Sequence, residues 1–303
     1  MNPIIAEVPR VKVLMSTFNG EKYIEEQVSS IFEQENVTVD IVIRDDGSSD
    51  KTVALLEEMK KKNSAMKVVR GDNVGACNSF LRLLWDDYNE VDYYAFADQD
   101  DVWLKEKLCE AIKLMDAKKN NEKCLYCGSV QIVDEKLAII RKNDQKGVNP
   151  SFGNSLIENI SCGCTMVFTR QLKEYICRFP MPEDMYMHDW FLYMIACAEG
   201  DVIFDSRPFV LYRQHGNNVL GNAATLRDLL HRRVCNFGKV KKYVPKQIQN
   251  YAEIYHPQNE NGYLCSLFCN LSLANKFKIF FCGGIRRQNF TESVIYKLLV
   301  FFW

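Results

Sequence analysis

The chain has 303 residues, 47% hydrophobic and 25% charged, with 38 basic and 39 acidic side chains and a net charge of −1. That balance is ordinary for a globular protein large enough to bury its own core. No apolar run reaches the roughly 18 residues of a spanning helix, and no apolar leader opens the sequence. The 12 cysteines have no framework spacing. They read as free thiols in a reducing, cytoplasmic setting, and the Cys124/Cys127 pair has no second pair to complete a zinc site.

The first 120 residues alternate strand and helix. Val11–Met15 reads as a strand, and Ile24, Val28, Ile31 and Phe32 follow at helical spacing. Val39–Ile43 is a second strand, followed by a helix marked by Val53, Leu56 and Met59. Met66–Val69 precedes a helix carrying Phe80, Leu84 and Tyr88. Tyr93–Ala97 precedes a helix carrying Leu104, Leu108, Ile112 and Met115. Repeated βα units predict a mostly parallel sheet with helices on both faces. Right-handed crossovers place every strand-to-helix loop on one sheet edge. Beyond residue 120 the pattern becomes α+β, with strands at Leu125–Ile132, Cys164–Phe168, Val202–Phe204 and Phe209–Arg213 and a helix from about His188. Residues 1–220 read as one catalytic domain, and 221–303 as a basic, largely helical extension.

The polar residues gather where such a sheet binds ligands, at the carboxyl ends of its strands. Ser16–Asn19 follows the first strand, Asp45–Ser48 the second, Asn73 and Gly75 the third, and Asp98–Asp101 the fourth. Asp45, Asp46, Asp98, Asp100 and Asp101 would repel one another in one crevice without a cation. A divalent ion holding a phosphorylated ligand meets that need, and Mg²⁺ or Mn²⁺ suits carboxylates together with substrate phosphates. Turn and helix-cap roles remain open for the same loops. No GxGxxG follows the first strand and no GxxxxGK[ST] occurs, which argues against dinucleotide oxidoreductases and P-loop enzymes.

The runs VKVLMSTFNGEKYIEEQVSSIFEQ, VIRDDGSSDKT, DNVG and FADQDDVW, in this order, resemble glycosyltransferase family 2 with its GT-A fold. MHDWFL and LYRQHGNNVLG resemble its bacterial rhamnosyltransferase-like branch. The resemblance covers about Val11 to Gly221. It implies an inverting, metal-dependent transfer of a sugar, with rhamnose the leading candidate, from a nucleotide-sugar donor (dTDP-rhamnose or a UDP-sugar). The acceptor is a hydroxyl of a cell-surface polysaccharide or lipid-linked glycan.

Carried over by position, Thr17, Asn19, Asp45, Asp46 and Asn73 fall on the donor side. Asp98 and Asp100 match the DxD motif at the donor diphosphate and the Mn²⁺ or Mg²⁺ ion. Asp189 matches the general base. The family often has Glu-Asp where this chain has His188-Asp189, which leaves the role of His188 open on the acceptor side. Arg213 is expected beside the diphosphate and His215 as a third metal ligand. Trp190 is a candidate sugar-stacking wall, and Trp103 reads as core or wall. A sugar-phosphate nucleotidyltransferase, a glycoside hydrolase and a non-catalytic nucleotide-sugar-binding protein are the alternatives. The loop STFNGEKY lacks the Arg and additional Gly expected of the first of these.

Charge divides the chain unevenly. Residues 221–303 carry 12 basic and 4 acidic side chains, against 26 and 35 before them. The extension interleaves Lys276, Lys278, Arg286, Arg287 and Lys297 with the apolar runs Leu264–Leu273, Phe277–Cys282 and Val294–Trp303. That mixture suits peripheral contact with an anionic membrane surface, and equally suits packing or oligomer assembly. No nucleic-acid partner is expected.

Overall fold

Alternation along the first strand decides which side of the sheet each residue covers. Strand β1 (Arg10–Thr17) turns Val11, Val13 and Met15 to one buried face, against Ile24, Val28 and Ile31 of helix α1 (Ile24–Phe32). It turns Leu14 to the other face, against Phe80 and Leu84 of α3 (Ala76–Asp86). These contacts come from a computed structural model, which describes residues 8–86, 91–118, 122–141, 147–215 and 226–303, side chains of 226–237 excepted. Tyr88, assigned above to the third helix, lies outside the described residues. So do Gly216–Gly221 of the LYRQHGNNVLG run, with the expected boundary after Leu220.

The sheet order is β3-β2-β1-β4-β8-β6-β9-β5, with β7 on the flank of β6. Strands β2 (Thr38–Asp45), β3 (Met66–Arg70) and β4 (Tyr93–Ala97) run parallel to β1. Helix α2 (Thr52–Lys62) links β2 to β3, and α4 (Lys107–Ala117) follows β4. The remainder is mixed. β8 (Val167–Thr169) lies antiparallel to β4 and to β6 (Cys124–Val133), while β9 (Asp201–Arg213) runs parallel to β6. Two short strands, β5 (Val102–Trp103) and β7 (Ile139–Arg141), complete it.

Two expected strands merge. Val202–Phe204 and Phe209–Arg213 are one strand, because a register shift opposite Gly128–Val130 absorbs the residues before Pro208. The expected strand Cys164–Phe168 starts later, since Gly163–Thr165 forms a 3-10 turn ahead of β8.

The residues from 238 onward share a core with the body. Helix α8 (Leu226–Tyr255) buries Val244, Ile248, Tyr251 and Tyr255 in the same cluster as Phe152 of α5 (Phe152–Ser155) and Phe191 of α7 (His188–Glu199). Helix α6 (Arg170–Cys177) adds Leu172 and Ile176. Helices α9 (Asn259–Cys269), α10 (Leu273–Phe281) and α11 (Phe290–Val300) follow. Buried Asn154 fastens the α10–α11 connection to the body. Its Nδ2 donates to the Arg286 carbonyl at 2.9 Å while its Oδ1 accepts from the Tyr193 hydroxyl at 2.7 Å.

Candidate active site

The loop after β1 is held by the loop after β2. Thr17 and Asp45 are buried and bonded to each other, Oγ1 to Oδ2 at 3.2 Å. Asp45 also accepts the Ser48 amide at 3.0 Å. Asn19 adopts a positive φ of 49° and accepts from the Ser49 amide at 2.9 Å. Asp46 pairs with buried Arg44 and accepts the amides of Val74 at 3.0 Å and Gly75 at 2.9 Å. The second acid after β2 therefore shapes the loop after β3. At Gly47, φ is +83°, and a Cβ would come within 3.2 Å of the Asn73 amide nitrogen. The conformation and the close approach both favour glycine there.

These loops open onto a cavity of about 530 Å³. Ser16, Asp46, Asn73, Gly75, Asp98 and Asp100 line it, together with Cys162, Gly163, Tyr186, Met187, His188 and Asp189. A second cavity of about 450 Å³ meets the first at Phe18, Gln99 and Asp100, and has Asn19, Tyr23, Glu135 and His215 in its wall. Thr17 and Asp45 lie behind the lining and hold it in place.

Asp98 is partly buried. Desolvation first, then the charges of Asp100 and Asp189, push its carboxyl up to about 7. Asp100 Oδ2 lies 2.8 Å from His215 Nε2. Both side chains keep a little exposure, 18% and 12%. A carboxylate oxygen and an imidazole nitrogen side by side, with a second carboxylate close by, fit a divalent ion that completes its shell with phosphate oxygens and water. A different trio also clusters. Ligand atoms of Asp98, Asp101 and Cys164 lie within 4.8 Å of one another. There the thiol is pushed far up by its hydrogen bond with Cys162 and by burial, and Asp101 is sealed. The Asp100–His215 side is the one open to a phosphate.

Arg213 departs from expectation. It is 2% exposed, and every guanidinium nitrogen is engaged. Nε donates to the Asp100 carbonyl at 2.9 Å, Nη1 to the Glu135 carbonyl at 2.6 Å, and Nη2 to Glu26. Its amide donates to Asp101 Oδ1 at 3.1 Å. Arg213 is thus committed to bracing the acidic loop after β4, and its role at a diphosphate, expected from the sequence, competes with these bonds.

Trp190 also departs. Its ring is 7% exposed, and its indole N–H donates to the Ser155 carbonyl at 2.6 Å, so it belongs to the core. Trp103 is buried too, beneath Lys107 Nζ at 3.5 Å from the ring centroid. Tyr186, Met187 and Tyr212 supply the cavity's apolar wall instead. Met187 and Tyr212 fall inside the MHDWFL and LYRQHGNNVLG runs without having been singled out, and Tyr186 lies outside both. Only the placement of Asp189 at the start of α7 hints that its preceding residues face the same space.

Asp189 is 3% exposed. Its Oδ2 accepts the Gly163 amide at 3.1 Å and its Oδ1 the Trp190 amide at 2.7 Å. Desolvation raises its carboxyl to about 6, against the opposing pull of these hydrogen bonds. His188 stacks on Phe80 with centroids 4.0 Å apart. Burial lowers its pKa to about 3, so the ring is neutral, and Nε2 finds no partner among the described residues. A Cβ at Gly163 would meet His188 Nε2 at 2.9 Å and Asp189 Cβ at 3.3 Å, which accounts for glycine in the Cys162–Cys164 turn.

Residues 12–175 match the family model described as Glycosyl transferase family 2. The dTDP-rhamnosyl transferase RfbG of Shigella flexneri is 35% identical over 218 residues, covering 68% of this chain and 73% of that protein. The Escherichia coli UDP-Glc:alpha-D-GlcNAc-diphosphoundecaprenol beta-1,3-glucosyltransferase WfgD is 29% identical over 221 residues, covering 70% and 80%. Among solved structures, Staphylococcus aureus TarS 1–349 with UDP-GlcNAc superposes with a TM-score of 0.55 at 19% identity, covering 89% of this chain and 73% of that one. The Pyrobaculum calidifontis mannosyltransferase PcManGT, in complex with GDP-Man and Mn²⁺, gives 0.53 at 16% identity, covering 98% and 87%. These two likenesses show the GT-A fold.

Proposed function

The chain belongs to glycosyl transferase family 2, and from that membership and the site geometry we propose an inverting, metal-assisted transfer of a deoxyhexose, rhamnose, from its dTDP-linked donor to a hydroxyl of a lipid-linked or cell-surface glycan. The observation that carries the reading is that Asp189, Asp98 and Asp100 all face one cavity of about 530 Å³. A base and a cation-demanding acid pair lining one cavity can both reach a sugar bound in it. The rhamnose assignment draws on the likeness to the Shigella protein.

Asp189 takes the proton of the acceptor hydroxyl as that oxygen attacks the anomeric carbon. It accepts hydrogen bonds from the Gly163 and Trp190 amides and the Asn159 side chain, and a carboxylate has about four lone-pair sites, so acceptor capacity remains. Its place in the first turn of α7 also stabilises the anionic form. The bond from the anomeric carbon to the diphosphate oxygen breaks as the new one forms, and the nucleoside diphosphate leaves with the electron pair. Attack from the face opposite the leaving group inverts the carbon. Asp100, His215 and Asp98 would hold a Mn²⁺ or Mg²⁺ ion, which supplies Lewis-acid neutralisation of the leaving charge. Asp46 and the loop it ties down, Asn73 to Gly75, cradle the nucleoside end.

Thermal denaturation with dTDP-rhamnose, UDP-glucose and GDP-mannose, with and without Mn²⁺, tests this. A donor at one hundred times its Kd adds about 2.7 kcal/mol, so Tm should rise by several degrees with dTDP-rhamnose and Mn²⁺ together. Asp100→Ala should abolish the Mn²⁺-dependent part. A rise with UDP-glucose alone moves the donor assignment, and no rise with any of the three overturns the reading.

A further inference from the structure

The outer face of α10 and α11 is apolar and uncovered. Leu273, Phe277 and Phe281 recur every fourth residue along α10, 67%, 49% and 77% exposed. Phe290, Leu298 and Phe302 are exposed on and just after α11, at 82%, 50% and 67%. Phe301, next to Phe302, packs on the first set, its ring 5.1 Å from that of Phe277 and 6.0 Å from that of Phe280. Exposed apolar residues scattered singly need no explanation, but a row of them at four-residue spacing does.

The charges around this face are sorted. Lys276 donates to the Phe301 and Trp303 carbonyls at 3.2 and 2.8 Å, and Lys297 to the Phe280 and Cys282 carbonyls at 3.1 and 2.7 Å. Arg287 pairs with Glu158 and Glu292. Those cations serve the fold. Lys278, beside Phe277, and Arg286, in the connection, remain exposed. From residue 261 to the end there are five basic residues and a single acid, Glu292, which is the one paired with Arg287.

Short helices with an aromatic side and basic flanks lie in the plane of a bilayer interface, apolar side inward. No helix among the described residues is long and apolar enough to cross a membrane. We propose that the α10–α11 face docks on an anionic lipid surface, with the six apolar side chains in the acyl boundary and Lys278 and Arg286 among the headgroups. A second copy of this chain would bring like charges face to face, which disfavours self-association there. The docking extends the transferase reading, since a lipid-linked acceptor is met at such a surface, but the contact itself does not depend on that reading.

Flotation of the full chain with phosphatidylcholine vesicles, and with vesicles containing 25% phosphatidylglycerol (about a quarter of the lipid, a typical anionic content), tests it. Binding is expected to the anionic vesicles only, and to weaken at about 0.5 M salt. Phe281→Ser/Phe302→Ser should lower partitioning at least about tenfold, and Lys278→Glu/Arg286→Glu should remove the salt-sensitive part. All four positions are exposed, so Tm should hold. Absence of binding to anionic vesicles at low salt, or binding unchanged in both variants, overturns the proposal. So does a full chain that sediments as a dimer and is made monomeric by the phenylalanine variant. The donor-induced Tm rise, measured on the same preparations, separates failure of docking from failure of the transferase assignment.

Discussion

The side-chain amide of Gln99 grips the backbone of Phe18 at both ends, accepting from its N–H at 2.9 Å and donating to its carbonyl at 3.0 Å. The pairing imitates a strand ladder and locks the acidic loop after β4 to the loop after β1. Gly20 makes room for it, since a Cβ there would lie 2.4 Å from Gln99 Oε1.

Gln99→Ala therefore should loosen the donor site with little effect on the fold. Two hydrogen bonds contribute about 1–3 kcal/mol together, and a tenfold rise in the donor Kd by titration calorimetry is expected. Gly20→Ala should weaken binding in the native background and much less in the Gln99→Ala background, because the clash has gone. Additive effects would show that the two residues act separately.

Asp189→Asn removes the proton acceptor and keeps the side-chain size. The rate should fall about 10²- to 10⁴-fold, with donor Kd unchanged. In the native enzyme kcat/KM should fall below pH about 6, where Asp189 takes up a proton. A variant with near-normal turnover, or an acid limb that survives in the residual activity of Asp189→Asn, would assign the base elsewhere.

His188 is a predicted source of acid lability. Its pKa in the fold, about 3, lies below the ordinary value of 6.5. Below pH 6.5 the unfolded chain therefore binds a proton that the folded chain refuses. The stability is complete above pH 6.5 and declines as the pH falls toward 3. At pH 5 the loss is on the order of 1–2 kcal/mol. His188→Phe keeps a ring on Phe80 and should flatten this decline in urea melts at pH 7 and pH 5. Equal pH sensitivity of variant and native protein would remove His188 from the account.

Much of the cavity lining contributed by the first four strand-end loops was readable because each loop follows a strand with a clear period-two face. Val11, Val13 and Met15 fix β1, and the polar residues after Met15 can only fall at the sheet edge. The cavity lining around Asp189 was harder to read. Tyr186 and Met187 precede α7 without periodicity, and their role depends on α8, where Tyr243 stacks on Tyr186 at 5.8 Å. Arg213 and Trp190 were placed correctly on their elements, yet their side chains turn inward. A motif gives a residue's address, but the competition for buried hydrogen-bond donors decides its orientation. The charge excess of the last 83 residues, read as one basic surface, divides between cations that cap carbonyls and cations that stay exposed.

Arg213 has a consequence for how the molecule comes into being. Its bonds reach back 112 residues to Asp101 and 187 to Glu26, so β9 closes a site founded near the amino terminus. During synthesis the loops bearing Ser16, Asp46 and Asp100 emerge long before Arg213 and His215. A partly made chain can pair β1, β2 and β4, but its acidic loop lacks the clamp that steadies it and the imidazole beside it. The clamp on the acidic loop is thus completed only once β9 has been made.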